Sequence, residues 1–147
     1  MVTKSRLTIS GLPAIAALLV LAAPLAAQGA EDTKPSGDPK GEAELAKLLE
    51  GRTMGEPQKC LRDSERRSME IIDHTAFVFR DGDTIYVNRP DGAAMLDRFD
   101  LPVFRIFGSD LCRMDQVELR DRGSSIGGPT VVLNDFIPYK LEKETEQ

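Results

Sequence analysis

The stretch His74–Pro90, HTAFVFRDGDTIYVNRP, constrains the fold more than any other part of the chain. Phe77 and Phe79 alternate with Ala76 and Val78, and Ile85 and Val87 alternate with Thr84, Tyr86 and Asn88. A period of two marks strands, and Asp81-Gly82 between the runs is a turn signal, so the segment predicts a β-hairpin. The loop length sets which side chains share a face. A two-residue Asp81-Gly82 loop would put the two apolar sets on opposite faces, whereas an odd-length loop keeps Phe77, Phe79, Ile85 and Val87 together. The expectation is the odd loop, with Gly82 at the positive-φ position. Pro90 and Asp91-Gly92 then end the second strand.

Similar runs recur. PVFRIFG from Pro102 is apolar on both faces except at Arg105. DQVELRD alternates, with Val117 and Leu119 inward and Gln116, Glu118 and Arg120 outward. TVVLNDF from Thr130 follows the turn-rich DRGSSIGGP, and weaker strand candidates surround Cys60 and Met69–Ile72. Short strands joined by Gly and Asp turns cannot make parallel crossovers, so their order is antiparallel. Before them, GEAELAKLLEG places Leu45, Leu48 and Leu49 on one helical face, with Glu42 and Glu44 in the first turn and Gly51 as a stop. So short a helix is unstable alone and must lay its leucines on the sheet. The expected fold class is mainly β: a small antiparallel barrel or sandwich with one short N-terminal helix.

The ends bound the domain. Lys4 and Arg6 precede a nearly unbroken apolar run, Leu12–Ala27, interrupted by Pro13 and Pro24 and ending in small residues. That is the layout of a secretory signal peptide, expected over 1–27 with cleavage after Ala27 or, second, Ala30. A spanning helix needs about 20 apolar residues, so no stable membrane anchor is expected after cleavage. Residues 28–41, rich in Gly, Pro, Ser and charge, read as a disordered linker. A single β-rich domain over 42–140 and a flexible tail over 141–147 complete the chain. Loss of Lys4 and Arg6 moves the formal charge from −5 to −7. Such a domain has no general attraction to nucleic acid or anionic lipid, and the paired Arg66 and Arg67 are flanked by Glu65 and Glu70.

Motifs that carry chemistry are thin. Gly123–Gly127, GSSIG, fits a serine-hydrolase elbow with Ser125 as nucleophile, but that elbow needs a following helix and a later histidine. Here a proline and a strand follow, and His74, the only histidine, comes earlier. His74 beside Asp73 is the remaining general-base candidate. Asp81 and Asp83 are explained by the turn without a calcium ion. One histidine and two cysteines at wide spacing do not make a zinc site, and no cofactor is expected. Cys60 and Cys112 lie 52 positions apart. In an oxidising compartment such a pair is usually one disulfide, contributing about 4 kcal/mol by loop-closure entropy. Two free thiols or a redox pair are the alternatives, the latter without the close spacing that such pairs normally show.

The order CLR, II-D, VFRDGDTIYVNR, FGSDLCRMDQVEL and LNDFIPY resembles a family of small exported Gram-negative proteins catalogued as a domain of unknown function. The resemblance covers Gly51 to about Lys140. Its most specific pieces are Cys60, YVNR at Tyr86–Arg89 and LCRMD at Leu111–Asp115. The family pattern carries two further cysteines where this chain has DGAAMLDR and GSSIGGPT. If those two pair with each other, the resemblance implies that Cys60 and Cys112 form the other bridge. It implies no activity and no catalytic residue. The functional expectation is a non-enzymatic periplasmic binding or structural module, its partner a periplasmic protein or envelope component. The alternative is a small hydrolase using His74 with Asp73 or a serine. An exposed patch of Tyr86, Phe104 or Tyr139 would mark a partner surface.

Overall fold

The computed structural model describes residues 38–123 and 126–142. The signal peptide expected over 1–27, most of the expected linker, Ser125 and residues 143–147 lie outside them. The described residues are mainly β, with one α-helix and antiparallel sheets. Ten strands run in chain order: β1 Arg52–Met54, β2 Cys60–Leu61, β3 Ser68–Ile72, β4 Ala76–Asp81, β5 Thr84–Asn88, β6 Leu101–Arg105, β7 Leu111–Cys112, β8 Gln116–Arg120, β9 Thr130–Val132 and β10 Phe136–Leu141. The helix α1, Pro39–Leu48, precedes them.

A five-stranded sheet of order β1-β10-β5-β4-β3 forms the middle layer. On one face lies α1, whose Leu45 is buried against Ile72, Ala76, Val78, Ile85 and Val87, with Leu48 and Leu49 alongside. On the other face lie the three-stranded sheet β6-β8-β9 and the two-stranded ribbon β2-β7. Phe77, Phe79, Tyr86 and Phe136 there meet Leu61, Leu111, Val117, Leu119 and Val131. The rings of Phe77 and Phe79 pack 5.9 and 6.2 Å from that of Phe104, centroid to centroid. The arrangement is a sandwich with a helical outer layer, and the middle sheet is not closed into a barrel.

A middle sheet covered on both faces overturns the expected odd hairpin loop. Asp81 pairs with Thr84, Arg80 with Ile85, Phe79 with Tyr86 and Val78 with Val87. The loop is therefore the two residues Gly82 and Asp83. Gly82 has φ +54, as the first position of a type II′ hairpin turn requires. Phe77 and Phe79 face the second sheet, while Ile85 and Val87 face α1. The odd loop assumed one buried face, and here each apolar set has its own core.

Both ends of the ordered domain also lie further out than expected. The linker expected to run to residue 41 stops short, because Asp38 caps α1 through its carboxylate and Pro39 starts the helix. At the other end β10 continues through Leu141, which pairs with Arg52, and the Glu142 amide reaches the Gly51 carbonyl at 3.3 Å. The strand expected at TVVLNDF is two strands, β9 and β10, with Leu133–Asp135 between them. Pro138 lies inside β10, where a proline normally argues against an interior strand. Its missing donor does no harm there. β1 has ended at Met54, and Gly55 bonds only the Pro138 carbonyl, at 2.7 Å.

Candidate functional site

The residues that look most distinctive in sequence are consumed by the fold. Tyr86 is buried on β5, and its hydroxyl donates to Glu65 at 3.2 Å. Burial first, and then the charge and hydrogen bond of Glu65, push the phenol pKa up. Asn88 is fully buried, and its Nδ2 donates to the carbonyls of Asn134 and Asp135 at 2.6 and 3.4 Å. Arg89 grips Glu42 of α1 with both terminal guanidinium nitrogens, Nη1 and Nη2. Thus Tyr86, Asn88 and Arg89 tie β5 to three different segments. In the second motif the buried Asp115 turns back and accepts from the Cys112 amide at 2.7 Å.

Cys60 and Cys112 are directly opposite each other in the β2-β7 ribbon and form a disulfide. Their neighbours Leu61 and Leu111 are also paired and fully buried. The bridge therefore pins a ribbon whose strands are two residues each onto the core.

Asp73 and His74 occupy the turn between β3 and β4 but do not face each other as a dyad. The Asp73 carboxylate receives the Arg98 backbone amide at 2.7 Å and Arg98 Nε at 2.6 Å. Burial alone would raise its pKa, but the bonds and charge of Arg98 prevail and lower it. The exposed His74 has φ +52, and its Nδ1 lies 2.7 Å from the Ala94 carbonyl. A carbonyl only accepts, so Nδ1 is the donor there and is not free to act as a base. Asp81 and Asp83 serve the hairpin turn, where the Asp83 carbonyl accepts from Leu141 at 3.2 Å and Arg52 at 2.5 Å.

The exposed patch of Tyr86, Phe104 or Tyr139 that would have marked a partner surface is not formed. Tyr86 is buried, while Phe104 and Tyr139 are half-buried against the two cores. Other apolar side chains are exposed instead, among them Phe99 at 74% and Leu101 at 50%, at the entry to β6. A helix or strand pattern could not single these out, because each reads as an ordinary core residue.

Phe99 and Leu101 alternate with residues that line a groove. Its volume is about 330 Å³, and it runs along the open side of the sandwich between β3 and β6. Met69 and Ile71 of β3 and Pro102 of β6 form apolar walls, and Glu44, Glu70, Arg98, Asp100 and Arg122 add charge. His74 is not among the lining residues. Arg98 links Glu44 of α1 (2.9 Å) to Asp73 at one end, and Arg122 holds the Phe99 carbonyl at 2.9 Å. The Asp100 carboxylate has no ion-pair partner among the described residues. Burial first, then the charges of Asp97 and Asp121, raise its pKa. The groove thus combines apolar walls with three carboxylates and two guanidinium groups.

No family model, curated protein or solved structure matches this chain. Among the described residues, no helix is long and apolar enough to cross a membrane.

Proposed function

We propose that this protein is a non-enzymatic binding module of the cell envelope, exported to the periplasm and acting on a protein or envelope component. The observation that carries this reading is the apolar lip formed by Phe99 and Leu101 beside the open groove. Two large apolar side chains left exposed beside a concave surface support an interaction site there. The Cys60–Cys112 disulfide supports an oxidising destination, as does the leader at the N-terminus. Membership of the family of small exported proteins that the sequence resembles is part of the same proposal.

The test places a photo-crosslinking residue at Phe99 or Leu101, with exposed Lys47 on α1 as the control position. Periplasmic recovery of the protein and a discrete adduct from the lip, absent from Lys47, are the expected results. Retention in the cytoplasm, or the same adducts from all three positions, would count against the proposal. Turnover of a chromogenic ester that is lost in His74→Ala would replace it with the hydrolase reading.

A further inference from the structure

Taking the binding-module reading as its basis, we infer that the free edge of β3 receives an extended polypeptide as an added strand. The segment that fits has apolar side chains at alternate positions and lysine or arginine between them.

β3 is the outermost strand of the middle sheet, and β4 is its only ladder partner among the described residues. Its other row of backbone N–H and C=O groups faces away from β4, and such a row is a template for another strand. The opposite lip, β6, is also a sheet edge, but Pro102 removes a donor from it. β3 is Ser-Met-Glu-Ile-Ile and keeps every donor. A strand added there lies about 4.8 Å from β3, and its side chains alternate between two environments. One set points to the groove walls at Met69, Ile71 and Pro102. The other set points to the α1 side, where Glu44 and Glu70 stand.

Charge selects the occupant. Glu44, Glu70 and Asp100 line the groove with Arg98 and Arg122, and behind them the charges of Asp97 and Asp121 act on Asp100 while Asp73 binds Arg98. In the lining itself three carboxylates face two guanidiniums, of which Arg98 is taken by Glu44 and Asp73 and Arg122 by the Phe99 carbonyl. Asp100 is the lining carboxylate without an ion-pair partner among the described residues. The Glu70–Arg80 and Glu44–Arg98 pairs, 2.7 and 2.9 Å, are partly exposed and therefore weakly held. A partner's cation can compete for these carboxylates, whereas an acidic segment would be repelled.

The experiment is a ¹⁵N NMR titration of the oxidised full chain with three synthetic probes. The first is a heptapeptide of alternating lysine and valine, the second replaces lysine with glutamate, and the third N-methylates alternate amides of the first. Strand addition predicts saturable shifts and slowed amide exchange at Ser68–Ile72 with the first probe. It also predicts at least tenfold weaker binding of the second, loss of binding with the third, and a several-fold loss with Asp100→Asn. If the N-methylated probe binds as tightly as the first, or the shifts fall away from β3, strand addition is overturned. Lack of binding by the first probe also overturns it, and so do concentration-dependent β3 shifts without peptide, which would make the occupant a second copy. A discrete Phe99 adduct with silent β3 amides would leave the binding-module reading standing and remove only this inference.

Discussion

Asn88 shows how a polar residue can be structural at the scale of one side chain. It has no exposed surface, and its amide group satisfies two carbonyls that precede β10. Asn88→Ala would leave both carbonyls short of a donor, at a cost of about 1–3 kcal/mol. The expected outcome is a lower urea midpoint with an unchanged slope. The carboxyls also make a prediction at this scale. Asp73 is lowered because Arg98 outweighs burial, and Glu118 is lowered first by the hydrogen bond of Arg120, then by that of Arg105, against burial. A carboxyl with a lower pKa folded than unfolded contributes stability above its unfolded value, about 4. That contribution disappears as pH falls through the folded value. Stability therefore drops below about pH 4, and the pair Asp73→Asn and Glu118→Gln flattens that limb while lowering stability at pH 7. Asp100 has the opposite sign. Burial and its acidic neighbours raise it, so Asp100→Asn should raise the pH 7 midpoint. Urea titrations at pH 3, 5 and 7 check all three variants.

At the scale of elements, α1 and the β4-β5 hairpin differ in how readable they were. The leucine spacing of α1 announced the helix and its buried face, while of the two carboxylates expected in its first turn only Glu42 lies there, because the helix begins at Pro39. Its start was less legible. The Gly-Asp-Pro-Lys-Gly run reads as linker, yet Asp38 caps the helix and Gly41 is buried. α1 comes so close to the turn after β3 that a Cβ at Gly41 would collide with Thr75 Oγ1 and stand 2.5 Å from the Asp73 carbonyl. Alanine favours a helix over glycine by about 1 kcal/mol, so propensity alone predicts a stabilising Gly41→Ala. The packing predicts the reverse, a loss of thermal stability measurable by circular dichroism. For the hairpin, alternation identified the strands but not the loop. Both of its faces are apolar, and pattern alone cannot tell one buried face from two. The alternation of TVVLNDF does not separate β10 from β9, and β10 tolerates Pro138 because the lost donor faces the gap after β1.

At the scale of the whole molecule, the disulfide joins segments 52 positions apart and holds the β2-β7 ribbon to the core. Loop-closure entropy sets its contribution at about 4 kcal/mol. Reduction, or Cys60→Ser with Cys112→Ser, should lower the denaturation midpoint by that order. Mass spectrometry after alkylation should find label only in reduced protein. Labelling of native, unreduced thiols would contradict the bridge.

Residue pattern alone is enough for the strand-rich antiparallel class, the helix and its buried face, and the inward side of β8. Each is a local periodicity that only one regular structure satisfies. Which cysteine geometry forms, which face each hairpin residue takes and where the groove lies were decided by tertiary structure. These depend on what packs against the second face of a sheet and on which strand is left at its edge. Those are relations between distant segments, and no local pattern of residues encodes them.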